Sequence, residues 1–454
     1  MEDGVVEVRV ERIGSWRIAP VIEEAFGGIT VEGTSSLQRD QSYKQLNDRL
    51  DLCLPITESR NGNFFSITSH MLSSGIGLQA LLLPVAFTSL GWVWGIICLS
   101  LLFVWQLYTI WLLVDLHVST TTGTRYSRYL DLAIVAFGEK MGKLAAMLPT
   151  MYLSGGACEL LIINGGGSLQ LFYETMCGGD PKCHDKGLTG TEWFLVFVCI
   201  AIFMALFFPN LNSLAWISLV GAVTGIAYCT ILWTLSVSKG RPLQGVTYDP
   251  PQLSTSKVDR FRDIANALAV ISLAFRGHNV ILEIQGTLPT NPNVSLRRRM
   301  WRGVIASYLI IALCHFPLAI AGYWAYGNLM PTSYQKGGIL NAFVKFHQHD
   351  VSKTLMGAIY MIIVIACLCT YQIYSLLALD SWERIYLWII KKSSSAKWER
   401  IGLKILLGGF TYLLSVALPF MGSSLSVVRQ HGLRLFRHVD VYSIGDCNIV
   451  GFDS

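Results

Sequence analysis

The chain has 454 residues, of which 52% are hydrophobic and 14% are charged. Soluble domains carry about 25% charged residues, so this composition excludes an ordinary soluble protein and indicates one that crosses a lipid bilayer several times. The formal net charge is +5. Because no basic stripe with interleaved aromatic residues accompanies that charge, nucleic acid is not an expected partner.

Polar and apolar stretches divide the chain into three regions. Residues 1–63 are polar and lack the basic start and apolar run of a cleavable signal peptide, so they are predicted to be a cytoplasmic N-terminal region. A transmembrane domain is predicted over 64–423 and a non-membrane tail over 424–454. Apolar runs of membrane length predict an all-α polytopic domain with about nine transmembrane helices, at 64–87, 91–114, 144–172, 191–208, 213–237, 264–288, 303–326, 354–379 and 403–420.

Lysine and arginine residues set the orientation of these spans. With the N-terminus inside, the cytoplasmic connections hold thirteen of them and the exterior connections ten, and the RRR run at 297–299 lies inside. The sequence thus predicts a multi-pass protein of the cell membrane with a cytoplasmic N-terminus. Cys177 and Cys183 then face the exterior in a short polar loop, as a disulfide or as two free thiols. Residues 125–140 predict a short amphipathic helix at the membrane surface.

Two of the predicted spans are interrupted near the middle, span one by SSGIG at 73–77 and span six by FRGHN at 275–279. An arginine at the bilayer centre costs about 2.5–3.5 kcal/mol on insertion scales, which a simple apolar anchor has no reason to bear. We therefore expect discontinuous helices whose breaks line a polar cavity. The SSGIG run taken alone also fits a face of small residues for helix packing.

The two interrupted spans are separated by four others, so they run in opposite directions. Such a pair predicts an inverted repeat, with a first repeat over 64–237 and an incomplete second repeat over 264–423. Unwound backbone leaves N–H and C=O groups unpaired, which suits a ligand with both a carboxylate and an ammonium group, as in an α-amino acid. The predicted substrate-binding residues are Ser73, Ser74, Gly75, Ile76, Gly77, Tyr152, Phe275, Arg276, Gly277 and His278.

Ionisable residues within the spans have two interpretations each. Arg276 would hold a substrate carboxylate or pair with an intramembrane acid such as Glu159. Glu159, His278 and Glu283 are candidates for proton coupling. Their alternative roles are, in the same order, compensation of the Arg276 charge, hydrogen bonding to freed carbonyls, and polar packing. His315 in span seven fits a satisfied core histidine.

Two aromatic residues near the interruptions, Tyr152 and Phe275, would either gate the pocket or pack between helices. A fixed positive charge at Arg276 would favour neutral or acidic amino acids over cationic ones. The sequence contains no metal-ligand cluster, no Walker lysine motif and no nucleophile elbow, so an enzyme is not expected.

Several longer motifs occur in order: LPITESRNGN at 54–63, SSGIG at 73–77 with LP at 83–84, RYSRY at 125–129, MYLSGG at 151–156, PNLNS at 209–213, FRGHN at 275–279, LEIQG at 282–286 and GYWAYGN at 322–328. Over about 50–423 the chain resembles the amino acid/auxin permease family, in its plant lysine/histidine-transporter-like branch. The resemblance implies the leucine-transporter-like 5+5 inverted-repeat fold and symport of amino acids driven by a proton gradient, without a cofactor. An arginine at position 276 is similar to the pattern of one subgroup of that branch.

The resemblance ends after residue 423, where the family continues with a tenth and an eleventh span. From Ser424 onward the sequence has no apolar run long enough to cross a membrane, as in a frameshifted or alternatively spliced end. The alternative function is therefore a transport-inactive truncated isoform that associates with full-length transporters.

Overall fold

The computed structural model describes residues 60–118, 125–147, 154–177, 187–208, 210–243, 245–248, 257–289, 295–331, 338–390, 392 and 394–417. Most of these residues are helical, and the extended pairing among them consists of two isolated antiparallel bridges. The predicted all-α class is thereby confirmed. The predicted tail and all but the last residues of the predicted N-terminal region lie outside the described ranges.

The described parts of the chain contain thirteen α-helices. They are α1 (Phe64–Gly75), α2 (Leu83–Leu116), α3 (Tyr129–Phe137), α4 (Glu139–Met147), α5 (Ser154–Cys177), α6 (Gly190–Phe207), α7 (Ala215–Lys239), α8 (Lys257–Ala274), α9 (His278–Gly286), α10 (Leu296–Tyr326), α11 (Ile339–His347), α12 (Lys353–Ile390) and α13 (Lys397–Ala417). Three short 3₁₀ segments at Leu78–Leu82, Gly327–Leu329 and Gln348–Asp350 continue or join them.

Six helical segments are long and apolar enough to cross a membrane: Leu78–Leu116, Gly190–Phe207, Ala215–Lys239, Leu296–Leu329, Lys353–Leu387 and Lys397–Ala417. They coincide with six of the nine predicted spans. Of the other three predictions, 64–87 and 264–288 do not correspond to single continuous helices, because both are broken within the bundle. The described parts of 144–172 belong to α4 and α5, and residues 148–153 between them lie outside the described ranges.

The predicted surface helix at 125–140 is instead two short helices, α3 and α4. They meet at Gly138, whose φ of +76° is not helical and therefore ends α3. Glycine adopts this conformation without the strain that it causes in other residues. Gly91 does the same inside α2, where φ is +72°. That kink separates the second half of span one from span two, close to the boundary predicted between them.

The two interrupted helices lie at the centre of the bundle. Helix α1 packs against α7 and α10, α2 packs against α8 and α10, and α12 packs against α5 and α7. The start of α1 is fixed by Asn63, whose side-chain oxygen accepts a hydrogen bond from the backbone N–H of Ser66 at 2.9 Å. The interior of the bundle therefore presents the two helix breaks to helices from both predicted repeats.

Candidate functional site

The two helix breaks meet directly. Helix α1 ends at Gly75 and α8 ends at Ala274, and the next residues, Ile76 and Phe275, form an isolated antiparallel bridge. Helix α9 then starts after Gly277, whose φ is +127°. The prediction of two matched breaks that run in opposite directions is confirmed, and their contact is made by backbone.

The carbonyl groups freed at the breaks are not left unpaired. Hydroxyl groups from α7, α10 and α12 donate to four of them: Thr370 to Ser73 at 3.0 Å, Tyr374 to Ser74 at 3.2 Å, Tyr228 to Ile76 at 3.4 Å, and Tyr308 to Arg276 at 3.2 Å. All four donors are buried. Sequence reasoning missed them because a hydroxyl residue inside an apolar span carries no signal that it faces a break.

The side chains of the first break are used locally. The Ser74 hydroxyl donates to the carbonyl of His70 at 2.7 Å, one turn earlier in α1. The Ser73 hydroxyl is buried and has no hydrogen-bond partner among the described residues. A Cβ on Gly75 would come within 2.7 Å of the Ile311 side chain on α10. Gly75 thus allows α1 and α10 to approach closely at the break.

Arg276 lies at the crossing of the two breaks. Its guanidinium donates to the side-chain oxygen of Gln79, just after the first break, and its Cζ lies 6.0 Å from the centre of the Tyr374 ring. A Cβ on Gly77 would lie 2.8 Å from Cζ of Arg276, so only glycine leaves room for the guanidinium here. The partner of Arg276 is therefore a neutral amide, which sequence reasoning did not foresee.

Glu159, the predicted acidic partner, does not pair with Arg276. It is buried on α5, and its Oε1 has no hydrogen-bond partner within the described residues. No ion pair joins these two side chains in the described structure. The compensation of Arg276 by Glu159, one of the two interpretations of this acid, is not what the fold provides.

His278 is the first residue of α9, and both its ring and its backbone carbonyl have hydrogen-bond partners. Its Nε2 lies 2.6 Å from the hydroxyl of Thr109, which itself donates to the carbonyl of Gln106 at 2.9 Å. Because the Thr109 hydroxyl donates its hydrogen bond to the Gln106 carbonyl, His278 Nε2 acts as the donor to the Thr109 oxygen. The Tyr129 hydroxyl donates to the His278 carbonyl. These contacts fit the interpretation in which His278 satisfies groups at the break.

Glu283 lies one and a half turns further along α9 and is buried, with Oε2 lacking a partner in the described residues. It interacts electrostatically with Asp380, Arg128 and Asp131. Arg128 contacts Asp380 through two hydrogen bonds, at 2.6 and 3.2 Å, and both side chains are almost fully buried. Glu283 is thus the candidate acid that lies beside a buried ion pair.

A second ion pair repeats this contact with the charges exchanged. Asp131 on α3 accepts from Arg384 on α12 at 2.8 Å, in a half-exposed position. Arg128 and Asp131 therefore face Asp380 and Arg384, one turn apart on each side. Together these four residues, called the crossed ion pairs below, bind the 128–131 segment to the end of α12.

Of the remaining predicted site residues, some lie in the described parts of the chain and others do not. Phe275 is buried, with its ring 5.5 Å from Phe103 and 5.3 Å from His315. Tyr152 lies outside the described residues. Cys177 takes part in a disulfide, and Cys183, its predicted partner, also lies outside them. The described residues contain no group of three or more His, Cys, Asp or Glu side chains that could hold a metal ion.

The family described as "Transmembrane amino acid transporter protein" matches residues 60–430. The chain belongs to this family. Two Arabidopsis thaliana members are similar over most of their length. Lysine histidine transporter-like 8 is 46% identical over 373 residues, which cover 82% of this chain and 70% of the relative. Lysine histidine transporter-like 7 is 44% identical over 368 residues, which cover 81% of this chain and 74% of the relative.

A solved structure confirms the fold of this family member. The chain is similar to a Na⁺-coupled sialic acid symporter in a substrate-bound outward-open state, with a TM-score of 0.53 and 12% sequence identity. The match covers 84% of this chain and 81% of the symporter. The leucine-transporter-like inverted-repeat fold with broken helices one and six is thereby confirmed. The protein is a multi-pass membrane transporter rather than an enzyme.

Proposed function

We propose that the protein carries amino acids across the plasma membrane by symport with protons. The observation that carries this proposal is the antiparallel bridge between Ile76 and Phe275, which joins two interrupted helices at the centre of a transporter fold. Paired breaks of this kind hold the substrate in transporters built from inverted repeats. Family membership supports amino acids as the substrate class.

The substrate would bind to the backbone at the crossing. Each freed carbonyl already accepts one hydrogen bond, but a carbonyl oxygen has two lone pairs and can accept another from a substrate ammonium group. Helix α9 begins at His278, and the preceding Gly277 provides no side-chain cap, so the first N–H groups and the dipole of α9 favour a carboxylate. The hydroxyl of Ser73 supplies a further buried group without a partner among the described residues.

Among the three proton-coupling candidates, we favour Glu283. His278 already has partners for its Nε2 and its carbonyl, and no ion pair is described beside Glu159. Glu283 lies next to the buried Arg128–Asp380 pair and has one carboxylate oxygen without a partner in the described residues. Gain or loss of a proton at Glu283 would change the net charge beside the contact that joins the 128–131 segment to α12.

The test is uptake of labelled amino acids by cells that display the protein on their surface, with acidic or neutral medium outside. The wild type is expected to take up substrate faster from acidic medium, and collapse of the proton gradient should abolish the difference. Glu283→Gln should remove the acid stimulation, since an amide does not titrate. Glu174→Gln is the matched control, because Glu174 is exposed near the end of α5, where it accepts a hydrogen bond from Gln170.

Two results would contradict the proposal. Uptake that is indifferent to the proton gradient would exclude proton coupling while leaving a transporter. Absence of uptake of every amino acid by protein at the surface would favour the transport-inactive alternative. An epitope at the N-terminus that is accessible only after the cells are permeabilised would support the predicted cytoplasmic N-terminus and the plasma-membrane location together.

A further inference from the structure

We infer that Arg276 and His315 form a receptor for a carboxylate on the side chain of the substrate, so that the site selects acidic amino acids. The inference rests on the proposed function in one respect, namely that the substrate is an amino acid. It assigns a role to His315, which the sequence pattern marks only as a core residue. It also gives Arg276 a ligand instead of a structural acid.

The first observation is that Arg276 has no anion among the described residues. Its described side-chain contacts are the amide oxygen of Gln79 and the face of the Tyr374 ring. Its Nε is buried and has no hydrogen-bond partner in the described structure. A guanidinium within a membrane domain is costly unless an anion compensates it. A substrate carboxylate would provide both the charge and the acceptor for Nε.

The second observation is that His315 is a fully buried side chain with unused ring nitrogens. Neither Nδ1 nor Nε2 has a hydrogen-bond partner within the described residues, whereas buried polar groups in proteins are nearly always paired. The ring of Phe275, the chain neighbour of Arg276, lies 5.3 Å from the His315 ring. Arg276 and His315 therefore lie in one region of the bundle, and Arg276 Nε and both ring nitrogens of His315 have no partner among the described residues.

His315 lies on the face of helix α10 that contacts the breaks. Tyr308, Ile311 and His315 lie on one face of this helix, at spacings of three and four residues. Tyr308 donates to the carbonyl of Arg276, and Ile311 is the residue that a Cβ on Gly75 would touch. The same face therefore contacts both breaks, and His315 lies one turn beyond Ile311.

Aromatic rings lie close to His315. The Phe275 ring lies 5.3 Å from His315, and Phe103 lies 5.5 Å from Phe275 and 6.0 Å from Phe316. These rings supply apolar surface for methylene groups. An α-carboxylate is less suitable for this position, because it would bring the neighbouring α-ammonium group close to the Arg276 charge. A side-chain carboxylate lies two or three carbons away from that ammonium group.

Glutamate and glutamine form the matched pair of probes, because they share the α-amino acid group and nearly the same shape. The purified full-length protein in detergent should melt at a higher temperature with millimolar glutamate than with glutamine, since a ligand that binds the folded state stabilises it. A charge-assisted contact predicts an apparent affinity about tenfold or more higher for glutamate. Arg276→Gln and His315→Gln should each reduce the difference, and the matched control His347→Gln on α11 should keep it.

The comparison of glutamate with glutamine on the wild-type protein tests the inference even where a variant does not fold. Equal effects of glutamate and glutamine, or no effect of glutamate, would overturn the inference. A glutamate preference that survives in both folded site variants would also overturn it. Failure of the proposed function is a separate result, because it is measured as gradient-driven uptake and not as binding. Glutamate-specific stabilisation without uptake would support the carboxylate receptor and contradict the proposed transport function.

Discussion

Removal of the Arg128 side chain is the perturbation for which the structure gives the clearest magnitude. Arg128 contacts both carboxylate oxygens of Asp380, and their side chains are 7% and 3% exposed. Arg128→Ala would leave the Asp380 carboxylate buried without this partner. Breaking a buried ion pair from one side costs about 3–5 kcal/mol, because the remaining charge loses its compensation.

Arg262→Ala provides the matched control. The distance from Arg262 Nη2 to Asp259 Oδ1 is 2.8 Å, close to the 2.6 Å between Arg128 Nε and Asp380 Oδ2, but the side chains of Arg262 and Asp259 are 37% and 36% exposed. Solvent screens such a pair, which contributes about 0.2–1 kcal/mol. Each kcal/mol shifts the midpoint of thermal unfolding by about 2 °C in a large domain. We therefore expect a fall of about 6–10 °C for Arg128→Ala and of about 2 °C or less for Arg262→Ala.

The assay is thermal unfolding of the purified protein in one detergent at a fixed scan rate, with the wild type measured alongside. The double variant Arg128→Asp with Asp380→Arg exchanges the charges and should recover a large part of the loss. Equal shifts for Arg128→Ala and Arg262→Ala would refute the argument from burial. A double variant no more stable than the worse of its two single variants would refute the pairing itself.

Two further predictions concern the breaks. Gly77→Ala should lower uptake per molecule at the surface, because its Cβ would lie 2.8 Å from the Arg276 Cζ. A Cβ on Gly155 meets no atom of the described residues within 4 Å, so Gly155→Ala should behave as wild type. Equal uptake by both variants would show that the guanidinium moves aside freely. Tyr374→Phe should destabilise the protein by about 1–3 kcal/mol, because a buried carbonyl loses its donor. Tyr412→Phe, which removes a 3.5 Å bond at an exposed position, should cost about 0.5 kcal/mol or less in the same thermal assay, and similar losses for both would contradict this assignment.

The sequence predicts the breaks well because their signal is local. A charge and a glycine within an apolar run are visible without knowledge of any neighbour, and the matched interruption in span one identifies the repeat. Helix ends at Gly75 and Ala274 fall where those motifs lie. The fold class follows from the same pattern, since two breaks that run in opposite directions restrict the topology strongly.

The partners at the breaks could not be predicted because they depend on helix rotation. Tyr228, Tyr308 and Tyr374 stand in apolar runs where an aromatic residue usually packs against other helices. Only the packed structure turns their hydroxyl groups toward freed carbonyls. The same reason applies to the contact of Arg276. The sequence offers Glu159 as an acid without giving its direction, and the fold places Gln79 next to the guanidinium.

The crossed ion pairs have a consequence for how the protein is made. Arg128 and Asp380 are separated by 252 residues, and Asp131 and Arg384 by 253. At about 5–20 residues per second, ribosomes deliver the second partner about 13–50 s after the first. Until then Arg128 and Asp131 lack these partners on α12, and contact with water lowers the cost of holding their charges. We therefore expect the contact between the 128–131 segment and α12 to form late in assembly, after α12 has been synthesised.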